Sequence, residues 1–220
     1  MDRTSMFLTY GFILILVHIS TNGFRTNAPI VYAAPMISLC VMTAITRMRW
    51  DKKVATIGSF ASIAIGVYYW ALLPKHIIAR AGLFCISHGL YLYTFFPHVR
   101  KLWTPLAVVT VIYAFGLIYY AVGDLFRSLP SLCFAVALDL ITVSFSMITA
   151  GSFWKNGARG NKIFEARNAA MLRFIGTGVQ LVLASLLMFN HFLSHNNFHQ
   201  YMLFYYIAQY LMFVANEQTF

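Results

Sequence analysis

The stretch AGLFCISHGLYLYTFF, Ala81–Phe96, decides how the rest of the chain is read. It is an apolar run of membrane-spanning character with one titratable group, His88, near its middle. A histidine at that depth in lipid must find a polar partner or face a cavity, because unpaired polarity is costly there. It is therefore either tied to a neighbouring helix or part of a site for a ligand.

The whole chain repeats this character. Its 220 residues are 60% hydrophobic and only 10% charged, with a mean hydropathy of +0.70. A soluble domain of this size cannot hide that much apolar surface. A spanning helix needs about 20 apolar residues, with ~17 as the lower end. Eight runs meet that need: about Met6–Ser20, Ala28–Ile45, Val54–Leu73, Ile78–Pro97, Thr104–Ala121, Leu129–Ala150, Met171–Asn190 and Tyr201–Ala215. They are too long and too continuously apolar for barrel strands. The expected fold class is all-α: a polytopic membrane protein, one bundle of about eight transmembrane helices, forming a single domain over residues 1–220. Arg3 followed by an apolar run imitates a signal peptide, but HISTNG, His18–Gly23, lacks a small-x-small cleavage pattern. A retained first helix is expected.

Orientation follows from the cations. Alternating the connections places twelve of the 16 Lys and Arg on the side of the N-terminus and four on the other, the four being Arg25, Lys75, Arg80 and Arg127. The positive-inside rule then puts both termini in the cytoplasm. The net charge of +10 belongs to juxtamembrane loops facing anionic headgroups, so no nucleic-acid partner is expected. Trp50, Trp70, Trp103 and Trp154 all fall at predicted helix ends, where amphipathic rings settle. Cys40, Cys85 and Cys133 lie inside spans and read as apolar filler, not as a disulfide or zinc framework.

Asp139, in CFAVALDLITVSF, is the second ionisable group at mid-span. The fourth and sixth helices run in the same direction, so His88 and Asp139 are expected at similar depth. There they could form a structural hydrogen bond or an acid–base couple. His191, His195 and His199 would stack on one face of a helix, as zinc ligands can. The stretch is Asn-rich and has no nearby carboxylate, so it reads as a solvated or interfacial loop, and no metal or cofactor is expected. Asp124 reads as a turn or cap residue beside Pro130, and Asp51 as neutralised among RMRWDKK. In the last span Tyr205 and Gln209 are four apart and share a face, and Gln209 should point into the bundle.

These segments together resemble the lysoplasmalogenase-like, or YhhN-like, family of eight-helix membrane proteins. YYIAQYLM, Tyr205–Met212, is similar to its final-helix motif. SHGLYLYTFF, Ser87–Phe96, is similar to its Ala-His-x-x-Tyr segment, with His88 and Tyr91 in register. Gly176 to Phe192 keeps the frame of its seventh-helix segment at Gly176, Leu187, Phe189, Asn190 and Phe192. The resemblance implies a hydrolase of ether-lipid metabolism. Its substrate would be a lysoplasmalogen, whose vinyl-ether bond is split to a fatty aldehyde and a glycerophospho-head. Its partners would be membrane lipids and that lysophospholipid. The family's chemistry uses two intramembrane aspartates. Here the first position reads Val67, after Gly66, and the second reads Ala184, beside Ser185; a Lys-Pro pair of the second helix reads Ala34-Pro35. A Gly-Asp pair does occur at Gly123-Asp124, but in another connection.

The expectation is therefore a protein inactive or very slow on lysoplasmalogens, unless His88 and Asp139 carry the acid–base work. Tyr91, Tyr205, Tyr206 and Gln209 are the expected substrate contacts. Two other classes fit the same residues: a non-catalytic lipid-binding relative, and a small proton-coupled transporter with His88 and Asp139 as its relay.

Overall fold

The structure is a computed structural model; it describes residues 2–26, 28–72, 77–157, 167–189 and 201–220. These residues form eight α-helices: α1 (Arg3–Ser20), α2 (Pro29–Ile45), α3 (Trp50–Leu72), α4 (Ile77–Phe95), α5 (Thr104–Val122), α6 (Pro130–Asn156), α7 (Arg167–Phe189) and α8 (Met202–Thr219). Each corresponds to one expected span. Among the described residues no β-strand occurs, and five helices, α1, α3, α5, α6 and α7, are long and apolar enough to cross a membrane.

Several helices run further than their apolar runs. α3 starts at Trp50, α6 reaches Asn156 and α7 starts at Arg167. An apolar run marks only what lies in hydrocarbon, whereas a helix continues as long as its backbone bonds are made. Proline at the first helical position starts α2 and α6, where its missing N–H costs nothing. Gly157, at φ +74°, ends α6 in the left-handed region open to glycine.

Six helices close a ring. α2 packs on α3, α3 on α4, α4 on α6, α6 on α7, α7 on α8, and α8 returns to α2. α1 and α5 pack on the outside, against α2 and α6. The outer helices show it in their surfaces: Phe7, Phe12 and Ile19 on α1 and Ile112, Phe115 and Tyr119 on α5 are all exposed, Tyr119 to 83%. An apolar face that broad needs lipid or a partner to cover it.

Between lipid-bathed helices there is little hydrophobic driving force, so close packing and interhelical hydrogen bonds decide the arrangement. Both are present. A Cβ on Gly176 would lie 2.9 Å from Met212 Cγ and 3.2 Å from the Ala208 carbonyl oxygen, so α7 and α8 touch through the absence of a side chain. The Tyr206 hydroxyl donates to the Tyr32 carbonyl at 2.8 Å and the Tyr10 hydroxyl to the Tyr206 carbonyl at 2.9 Å, stitching α1, α2 and α8 together.

Both chain termini lie at one end of the ring. Arg3 pairs with Glu217 at 3.3 Å, and the Arg49 N–H donates to the Phe220 carbonyl at 3.2 Å. A polar clamp crosses the ring interior near this end. Arg173 on α7 is fully buried and donates to Asn216 Oδ1 at 3.1 Å and to Thr219 Oγ1 at 3.0 Å. Asn216 Nδ2 donates to Thr56 Oγ1 at 2.9 Å, and Thr94 Oγ1 lies 3.3 Å from Asn216 Oδ1. One asparagine thus joins α3, α4, α7 and α8. The Arg173 guanidinium also stacks 4.8 Å from the Phe95 ring. Lys52, expected in a basic loop, and Arg173, counted among the cations of the N-terminal side, are both buried within helices here. Asp51 is neutralised as expected, by Arg49 at 3.4 Å and Lys52 at 3.8 Å, and Asp124 sits exposed in a short 3₁₀ turn, Asp124–Arg127.

Candidate functional site

α4 carries the first elements of the site. Arg80, Phe84 and His88 are spaced four apart and so share one face. Hydrogen bonds on either flank fix the helix rotation: Ser87 Oγ and Ser59 Oγ are 2.9 Å apart across α3–α4, and Cys85 Sγ and Thr142 Oγ1 are 3.4 Å apart across α4–α6. With α4 so held, Phe84 and His88 face the ring interior.

There they meet α3, α6, α7 and α8 around a narrow cavity of about 40 Å³. Its walls are Val67 and Trp70 from α3, Phe84 and His88 from α4, Asp139 from α6, Gln180, Leu183, Ala184 and Leu187 from α7, and Met202 and Tyr205 from α8. It lies in the half of the bundle away from the termini. His88 and Asp139 thus share one cavity, at the similar depth expected of them. So do Val67 and Ala184, the two positions where the resemblance places aspartates. The volume holds about one or two waters; a lipid chain enters only if the walls part.

His88 and Asp139 make no direct hydrogen bond. The charged neighbour of Asp139 is Arg80, within electrostatic range but not in ion-pair contact. One carboxyl oxygen, Asp139 Oδ1, is buried without a hydrogen-bond partner among the described residues. Arg80 corrects the sequence reading, which left it with the loop cations. It sits in the first turn of α4, 7% exposed, and lines a second cavity of about 40 Å³ with Ile77, Ala81, Val136, Leu140 and Met188. Phe84, Asp139, Ala184 and Leu187 line both cavities, so the two adjoin at Asp139.

Gln180 is a further site residue that sequence reasoning missed. It is buried, lines the first cavity and donates through Nε2 to the Tyr205 carbonyl at 3.5 Å. Its signal was available: Gly176, Gln180 and Ala184 are four apart and share one face of α7.

The other expected substrate contacts divide. Tyr205 lines the first cavity, with its ring 6.1 Å from that of Phe84. Its hydroxyl and the Gln209 amide lie within electrostatic reach of each other but outside hydrogen-bonding geometry. Gln209 points into the bundle as expected but does not line the cavity. Tyr91 and Tyr206 do not line it either. Tyr91 is fully buried and donates to the Met212 carbonyl at 3.2 Å, and Tyr206 is engaged with Tyr32. Both hydroxyls are spent on holding helices, where an unpaired one would be costly. His191, His195 and His199, with Asn190 and Phe192, lie outside the described residues. Among the described residues no cluster of metal-binding side chains occurs. The three cysteines are free, as expected.

Comparison with curated proteins and with solved structures gives no match. Comparison with family models gives one: the YhhN family, over residues 27–216. That span takes in α2 to α7, α8 as far as Asn216 and every residue lining the two cavities, and the chain therefore belongs to the YhhN family.

Proposed function

We propose that this protein is an integral membrane protein of ether-lipid metabolism that binds lysoplasmalogens in the Asp139 cavity and hydrolyses their vinyl-ether bond slowly, through a single carboxyl group. The observation that carries the reading is convergence. Both positions read as family aspartates, Val67 and Ala184, line the cavity that already holds Asp139 and His88.

The chemistry needs one proton delivered to carbon and one water delivered to the neighbouring carbon. Asp139 gives its proton to the vinyl carbon distant from the ether oxygen. The double-bond electrons form the new C–H bond, and the ether oxygen stabilises the cation left behind. Water adds to the carbon bearing that oxygen and passes a proton through His88 back to Asp139. The resulting hemiacetal collapses to the aldehyde and the free glycerol hydroxyl, so that one water is consumed and Asp139 is restored. Preorganised acid and base groups each supply about 10²–10⁴-fold. With Val67 and Ala184 in place of carboxylates, one such contribution is absent and turnover is slow.

The apolar side chains at Val67 and Ala184 favour a second reading, a lipid-binding protein without turnover. Purified protein in detergent, given lysoplasmenyl-ethanolamine or -choline, separates the two. Slow aldehyde release above the protein-free rate, absent for the saturated alkyl-ether analogue, supports the hydrolase. Saturable binding of both lipids with no aldehyde supports the binding protein.

A further inference from the structure

We infer that Arg80 and the second cavity hold the phosphate of a single-chain ether phospholipid, with Asp139 standing between phosphate and chain. This rests on the lipid reading above and adds to it the residue and the cavity that take the phosphate.

A buried guanidinium is expensive unless paired. Arg80 is 7% exposed, and the charged group beside it among the described residues is Asp139. Arg80 lines a cavity whose other walls are apolar apart from Asp139. Asp139 lies near enough to feel its charge but does not contact it, and carries a buried oxygen with no partner. The two charges are thus held close and left unjoined. An anion seated between Arg80 and the cavity mouth would receive the guanidinium's donors, for which phosphate is well matched in shape and charge.

The order of the parts agrees with the ligand. Arg80 lies in the first turn of α4, at the end of the bundle away from the termini, where head groups would sit. The first cavity, with His88 and mostly apolar walls, lies deeper. Asp139 lines both. In a lysoplasmalogen the glycerol unit separates phosphate from the vinyl ether, and the chain follows. A phosphate on Arg80 would therefore lay the ether bond against Asp139 and the start of the chain along Phe84, Ala184 and Leu187.

Binding tests this without any need for turnover. The full chain in uncharged detergent is titrated with a non-cleavable 1-O-alkyl lysophospholipid, with the matching 1-O-alkylglycerol, and with glycerophosphate. The expected result is a preference of about tenfold or more for the lysophospholipid over the alkylglycerol. Arg80→Met should erase that preference and leave alkylglycerol binding in place, while Arg80→Lys keeps part of it. Asp139→Asn should tighten lysophospholipid binding, because the carboxylate no longer competes for Arg80. If glycerophosphate binds as well as the lysophospholipid, in an Arg80-dependent way, the anion site stands and its ligand is a soluble phosphate. Equal affinity of the native protein for the two lipids overturns the inference even if Arg80→Met does not fold. So does weaker lysophospholipid binding in Asp139→Asn. Absence of aldehyde release would defeat the hydrolase reading and leave this one intact.

Discussion

At the residue scale, the site is defined by what stands at four positions. Val67 and Ala184 lie where the resemblance expects carboxylates, and Asp139 and His88 lie on the same walls. If the cavity is the reaction site, returning the carboxylates should raise the rate. Val67→Asp with Ala184→Asp is expected to increase aldehyde release by about 10²-fold or more over the native protein, and neither single change should suffice. The folded yield of the double variant must be measured beside the rate, because each buried carboxyl is costly in lipid. No gain from a folded double variant would remove both positions from the reaction. His88 and Asp139 were legible in the sequence because ionisable groups at mid-span are rare. Their common depth was legible too, since helix direction follows from the count of spans. What they bond to was not. Depth is set along a helix, but the partner depends on rotation about its axis, which only packing fixes. Hence the sequence left a His–Asp hydrogen bond, an acid–base couple and separately capped groups all open, and in the structure the two share a cavity without a direct bond, with Arg80 the charged group near Asp139. Arg80 itself was obscured because a first helical turn and a loop have the same composition. Only its four-residue spacing from Phe84 and His88 shows that it shares their face.

At the scale of elements, the ring depends on close contacts that hydropathy does not record. A Cβ on Gly66 would lie 2.7 Å from the Phe84 ring, and Phe84 lines both cavities. Gly66→Ala should therefore displace Phe84, cost about 1–3 kcal/mol, and change ligand binding more than an equally destabilising change remote from the cavities. Gly176→Ala, on the α7–α8 contact, should destabilise by a similar amount. A thermal unfolding midpoint unchanged by Gly176→Ala would mean that α7 and α8 do not approach as closely as described. The clamp gives the complementary case. Asn216→Leu removes the group that joins Arg173, Thr56 and Thr94, and should cost about 1–3 kcal/mol. Because the clamp lies at the other end of the ring from Arg80, lipid preference in the folded fraction should be unaffected. The eight helices were readable because lipid forces every backbone group to bond within its own segment, which produces long unbroken apolar runs. Which six of them close the ring was not readable, since an apolar run marks a span but not which spans are neighbours.

At the scale of the whole molecule, an even number of helices brings both termini to one end, as the Arg3–Glu217 pair shows. That end also carries Arg47, Arg49, Lys53, Arg100, Lys101 and Lys155, so it should face the cytoplasm. Tags at Met1 and Phe220 should resist protease in intact cells and be cut after permeabilisation. Cleavage of either tag in intact cells would contradict the arrangement. The cavities would then open in the outer half of the bundle, on the side of Arg80, the half from which a single-chain lipid would have to enter. The central claim is that Asp139 is the acid acting on the vinyl ether, and one measurement tests it most directly: aldehyde release from lysoplasmenyl-ethanolamine by native protein and by Asp139→Asn, at matched folded concentration. The account predicts slow native turnover that falls by about 10²-fold or more in the variant. Robust turnover that survives the substitution would place the chemistry elsewhere in the molecule.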